Sequence, residues 1–214
     1  MKFPDETEAR LERAILASRE KAPARSAVGV AIQAERELDL AYAGTPRHPV
    51  FVALAETVRR FEIPREPFAD LLVAFRSDVN FAGFETLEDL LGYARYSANP
   101  VGRIVLCLFG YRDAERQRLS DLVCSGLQLA NFWQDVEVDL GKGRIYLPRH
   151  DLARFGVTPE DLAARTSKPE FIELMRHEVG VARARLIQGV ARHRGVDRVL
   201  SLVILMFTVG DLAV

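Results

Sequence analysis

Apolar residues recur along this chain at spacings of three and four, the interval that lines one face of an α-helix. Residues 5–21 show the pattern in a charged form, and residues 28–42 repeat it up to the break at Gly44-Thr45-Pro46. Pro49, whose fixed φ suits a first helical turn, opens a third helix through Val58 and Phe61. Pro64 and Pro67 separate it from a fourth, with Phe68, Leu71, Leu72 and Phe75 on one face. Thr86 before Leu87, Glu88 and Asp89 is a capped start with an acidic first turn. That helix carries Leu90, Leu91, Tyr93 and Tyr96 to Asn99-Pro100, where the proline should kink or restart it.

One long helix is then predicted over 113–139, ended by Gly141-Lys142-Gly143-Arg144. After the loop IYLPRHDL come a short helix over 151–155, a start at Thr158-Pro159-Glu160, and helices over 169–193 and 196–213. Period-two alternation never persists, so the fold class is all-α with antiparallel neighbours.

With 214 residues, 49% of them hydrophobic and 28% charged, the chain can bury one sizeable core, and a single domain over 1–214 is expected. Arginines dominate the cations, but acids balance them to a formal charge of -1, and no basic patch has interleaved aromatics. Nucleic acid is therefore not an expected partner. Cys107 and Cys124 read as buried free thiols, and the four dispersed histidines give no zinc pattern. The opening MKFPDETEARLER lacks the apolar core of a signal peptide, which points to the cytoplasm. The apolar run 199–209 is too short to span a bilayer and reads as a core helix or as a surface resting on the inner membrane.

The candidate chemistry is concentrated in NFWQDVEVD. Asn131, Asp135 and Asp139 lie four residues apart, so on a helix they form a strip of oxygens about 12 Å long. Hard divalent cations favour such oxygens, and Mg²⁺ needs only one or two carboxylates when phosphate and water complete its shell. On a solvated helix the same spacing is ordinary surface. Here Leu127, Leu129, Phe132, Trp133, Val136 and Val138 surround the strip, and carboxylates in such a wall must face a cavity or bear a desolvation cost. Lys142, Arg144 and Arg149 follow directly, and basic groups there suit the charge on a diphosphate leaving group. Arg76 and Asp78 end the fourth helix, where Arg76 could reach phosphate or simply be solvated. Tyr93 could steady a cation through its ring or be a core tyrosine with a satisfied hydroxyl, and Tyr96 has the same choice.

With these residues in view, the chain resembles the squalene and phytoene synthase family from about Arg25 through Asp211. Its strongest stretch is LQLANFWQDVEVDLGKGRIYLPRHDL, which looks like the family's second aspartate-rich motif and following loop. The resemblance implies an all-helical isoprenoid synthase fold, with Asn131, Asp135 and Asp139 as Mg²⁺-diphosphate ligands and Gln128 lining the same cavity. In YARYSANPVGR, Tyr93 matches the family's tyrosine near the reacting centre, and Arg103 follows its Val-Gly pair. Catalytic roles thus fall to Tyr93, Asp135 and Asp139. Substrate contacts fall to Arg76, Tyr96, Arg103, Gln128, Lys142 and Arg144. One Mg²⁺ cluster at most, and no nucleotide cofactor, is implied.

The Asn99-Pro100 variant is similar to the bacterial hopanoid branch, the hydroxysqualene synthases, which implies diphosphate loss from presqualene or farnesyl diphosphate. Alternatives are phytoene-synthase-like head-to-head condensation, or a non-catalytic helical partner of a full-length synthase. The family's first aspartate-rich helix and last helices have no match here, so an incomplete bundle, truncated at both ends, is expected.

Overall fold

The computed structural model describes residues 27–164 and 168–190. The helices expected over 5–21 and 196–213, and the apolar run 199–209, lie outside them. Among the described residues there are ten helices and no strand: α1 (Ala27–Tyr42), α2 (Pro49–Phe61), α3 (Glu66–Val79), α4 (Leu87–Ser97), α5 (Asn99–Leu108), α6 (Ala114–Gln134), α7 (Val136–Gly141), α8 (Arg149–Phe155), α9 (Pro159–Ala163) and α10 (Pro169–Val190). The fold class is all-α, as the periodicity predicts. None of these helices is long and apolar enough to cross a membrane. Two compact units divide the chain, Met1–Asn80 and Phe81–Val214.

In the first unit, α1 packs on α2 and α3. The buried Glu37 carboxylate accepts the backbone N–H groups of Arg47 and His48 at 2.9 and 3.0 Å, which supplies partners for a charge that would otherwise be costly to bury. Arg65 and Arg76 on this unit pair with Asp39 and Glu35 of α1.

The second unit is organised around α6, which packs along α10 and α5 and touches α4. Asp113 caps α6 by accepting from the Arg116 N–H at 3.0 Å, and Thr86 with Asp89 forms a reciprocal capping box on α4. Gly102 allows α5 to lie close on α6: a Cβ there would stand 2.3 Å from Ser120 Oγ and 2.5 Å from Cys124 Sγ. Arg103 adds a two-pronged brace to Asp121, at 3.1 and 2.7 Å. The main core gathers Leu90, Leu129, Leu147 and Leu174 around Phe132 and Trp133. Both cysteines are buried free thiols, as expected.

One expectation needs correction. The predicted helix over 113–139 is not continuous: α6 ends at Gln134, Asp135 adopts φ -95° and ψ 11°, and α7 starts at Val136. Asp135 and the β-branched valines at 136 and 138 are weak helix formers, and the run has too little propensity to hold ideal geometry. The helical hydrogen bonds nevertheless bridge the break. Asp135 N–H reaches Asn131 O at 2.9 Å, and Asp139 N–H reaches Asp135 O at 2.8 Å.

Candidate active site

These two bonds keep Asn131, Asp135 and Asp139 one turn apart even though the helix bends between them. All three are half-buried. The Asp139 side chain is only 15% exposed, and its nearest cation is the exposed Lys142 Nζ at 3.5 Å. A carboxylate so withdrawn from water, with a loose ion pair on one oxygen, retains acceptor capacity for a cation.

A Schellman turn brings the basic loop back onto the strip. Gly143 N–H bonds Leu140 O at 2.9 Å, and Arg144 N–H bonds Asp139 O at 2.8 Å. This requires a left-handed residue, and Gly143 supplies it at φ +74°. Arg144 then lies over the Phe81 ring, 5.4 Å from its centroid, and donates to Tyr146 Oη at 3.2 Å. Asp139, Arg144, Tyr146 and Phe132 border one narrow recess of about 10 Å³, room for a single water. A larger cavity of about 480 Å³ shares Ile145 and Leu147 with that recess, but neither Asp135 nor Asp139 lines it. Anionic and cationic groups meet at the strip.

Tyr93 lies half-buried in an aromatic array that sequence reasoning did not assemble. Its ring is 5.5 Å from Phe84, 6.2 Å from Phe132 and 6.4 Å from Tyr146, and Phe132 and Tyr146 stack at 4.0 Å. Phe81 joins through Tyr146 at 4.9 Å. The available signal was the placement of Phe81, Phe84 and Tyr146 in short non-helical segments, where a large aromatic needs a packing reason.

The remaining candidates separate into groups. Gln128 is half-buried on α6, three residues before Asn131. Tyr96, on α4, lies under the Arg95 guanidinium at 5.7 Å. Arg103 is engaged by Asp121, so it fastens α5 to α6, and a phosphate would have to compete with that carboxylate. Arg76 belongs to the first unit and pairs there with Glu35; both side chains are over 40% exposed, so that pair is weak.

Among the described residues no three His, Cys, Asp or Glu side chains converge on one point. Mg²⁺ at a diphosphate does not require three. Two carboxylates and an amide oxygen on consecutive turns, in a partly dehydrated wall next to two cations, fit the ion as a hard-oxygen donor set completed by phosphate.

Comparison with known proteins places the whole chain rather than its donor set. A model of the family "Squalene/phytoene synthase" matches residues 11–212. The phytoene synthase of Mycobacterium tuberculosis is 38% identical over 109 residues, 51% of this chain and 36% of that protein. The hydroxysqualene synthase of Sinorhizobium fredii is 37% identical over 141 residues, 65% of this chain and 48% of that protein. The chain thus spans between about a third and a half of these curated relatives. Among solved structures, squalene synthase HpnC from Alicyclobacillus acidocaldarius superposes with a TM-score of 0.82 at 33% identity, covering 96% of this chain and 92% of that one. A dehydrosqualene synthase in complex with ligand gives 0.75 at 27% identity, covering 94% and 71%. With the all-helical fold and the family match in hand, the chain belongs to the squalene/phytoene synthase family.

Proposed function

We propose that this chain acts on an isoprenoid diphosphate, presqualene or farnesyl diphosphate, and promotes Mg²⁺-assisted loss of diphosphate in the formation of a squalene or hydroxysqualene skeleton. The observation that carries this reading is the preserved one-turn spacing of Asn131, Asp135 and Asp139 beside Lys142 and Arg144. Asn131, Asp135 and Asp139 would hold the ion. When bound, Mg²⁺ supplies Lewis-acid neutralisation of the leaving group. Lys142 and Arg144 add positive charge where the departing diphosphate becomes most negative. Tyr93, Phe132 and Tyr146 present π-electron faces, which stabilise a neighbouring cation electrostatically without offering it a strong nucleophile. Their apolar bulk also keeps water from a cation before it rearranges.

Incubation of the purified chain with presqualene diphosphate and Mg²⁺, monitored by diphosphate release, tests the reading. Release that Asp135→Ala abolishes supports it, and release unchanged in Asp135→Ala refutes it. A second reading, head-to-head condensation to a phytoene-type hydrocarbon, is favoured by the 38% identity to a phytoene synthase over half the chain. Product skeletons from farnesyl and geranylgeranyl diphosphates separate the two.

A further inference from the structure

Glu178, in the middle of α10, is completely buried, and neither of its carboxyl oxygens has a hydrogen-bond partner. A lone carboxylate in such a place would bear the full cost of an unpaired charge. The ionisable group beside it is another acid, Asp151 of α8, itself 7% exposed. Two adjacent buried acids cannot both be ionised cheaply, but one proton between them supplies the donor that the geometry lacks. The same residue also touches the site: the Glu178 backbone carbonyl accepts Trp133 Nε1–H at 3.2 Å. Trp133 is buried on α6, between Asn131 and Asp135.

We propose that Glu178 and Asp151 hold a single proton between them, and that this pair is a positioning device which seats α10 against Trp133 and so sets the end of α6 that carries the acidic strip. The second half of this statement rests on the reading of the strip as a diphosphate site. Among the described residues, the other ionisable groups around the pair come from α8 and α10. From α8, His150 places Nδ1 3.4 Å from Asp151 Oδ1 but is otherwise exposed, and Arg154 lies exposed over Phe155. On α10, His177 faces Phe155 at 5.4 Å, while from α6 the residue meeting Glu178 is the uncharged Trp133. Among the described residues no cation forms an ion pair with Glu178. Burial first, and the Asp151 charge second, push the Glu178 carboxyl up to about 7. Loss of the shared proton therefore falls near neutral pH.

Trp133 is the chain's only tryptophan, so selectively excited tryptophan fluorescence reports on this point alone. We expect the emission of the full chain, titrated from pH 5 to 9, to follow one sigmoid centred near neutrality. Glu178→Gln, which keeps shape and carries a fixed donor, flattens the curve. Asp151→Asn moves the midpoint to lower pH by removing the neighbouring charge, and it serves as the test should Glu178→Gln fail to fold. A flat wild-type titration, or an unshifted sigmoid in either variant, overturns the shared proton.

Positioning is read separately, by calorimetric binding of Mg²⁺-pyrophosphate at pH 6 and pH 8.5. Wild-type affinity should fall severalfold more at the higher pH than that of Glu178→Gln. Equal pH dependence in both proteins overturns the positioning role. Absence of binding at every pH removes the diphosphate-site reading and the positioning role with it, while the fluorescence titration still decides the shared proton.

Discussion

Replacing Glu178 by Gln should make the protein more stable in alkaline solution, an outcome opposite to the usual effect of altering a fully buried residue. The folded state raises this carboxyl from an ordinary 4.5 to about 7, chiefly through burial and then through Asp151. A group whose folded value is raised contributes stability that is complete below the unfolded value, near 4.5. That stability is lost as pH climbs through about 7, because the native state must then release a proton it binds more tightly than the unfolded chain does. The difference between the two values corresponds to about 3 kcal/mol at pH 9. Against a typical folding stability of about 5–15 kcal/mol this is a large share. For a chain of this size it amounts to a Tm lower by roughly 6 to 12 °C. Gln cannot ionise, and its amide can donate toward Asp151, so the variant escapes the loss. Thermal unfolding followed by circular dichroism from pH 4.5 to 9 should show wild type and Glu178→Gln close together at the acid end, diverging between 4.5 and about 7 and holding a constant gap above that, with the variant higher. A gap that does not change anywhere in that range, or a variant less stable than wild type at pH 9, refutes the reasoning.

Three further expectations follow from local geometry. Gly102→Ala drives a methyl into Ser120 Oγ and Cys124 Sγ and should cost about 1–3 kcal/mol in urea unfolding, with most of the loss recovered when Ser120 and Cys124 are also made Ala. Gly143→Ala meets no atom within 4 Å, so its cost is the left-handed backbone alone, about 1 kcal/mol by the same assay; pyrophosphate binding should weaken as well, since this turn places Arg144. Burial pushes the Cys124 thiol up to about 12, so an aromatic disulfide reagent at pH 8 should leave it unlabelled in the folded protein and label it on unfolding.

Helix positions were legible where a side chain controls its own backbone. Pro49 at a helix start, Thr86 and Thr158 as caps, and Asp113 before α6 each act within a few residues, and the structure has them in those roles. The break at Asp135 was not legible from spacing, because it reflects a balance between weak propensity over 135–138 and hydrogen bonds that survive the bend. The acidic strip could be read because its three residues belong to one segment. The aromatic array could not, since Phe81, Tyr93, Phe132 and Tyr146 come from four segments whose meeting is set by tertiary packing. Arg103, a substrate contact by resemblance, is braced by Asp121 eighteen residues later, a partner that its own segment does not reveal. Glu178 left no trace in the pattern, because a glutamate in a charged helix reads as solvated until its neighbours are known.

The central claim is that the strip on α6 and α7 binds a metal-complexed diphosphate. Crystals grown with Mn²⁺ and pyrophosphate, with the ion located by its anomalous scattering, address this most directly. The account predicts a Mn²⁺ peak bonded to Asp135 or Asp139 and to a pyrophosphate oxygen, with Lys142 or Arg144 on the anion. A pyrophosphate-bound ion held elsewhere, with Asn131, Asp135 and Asp139 all turned away from it, would contradict it.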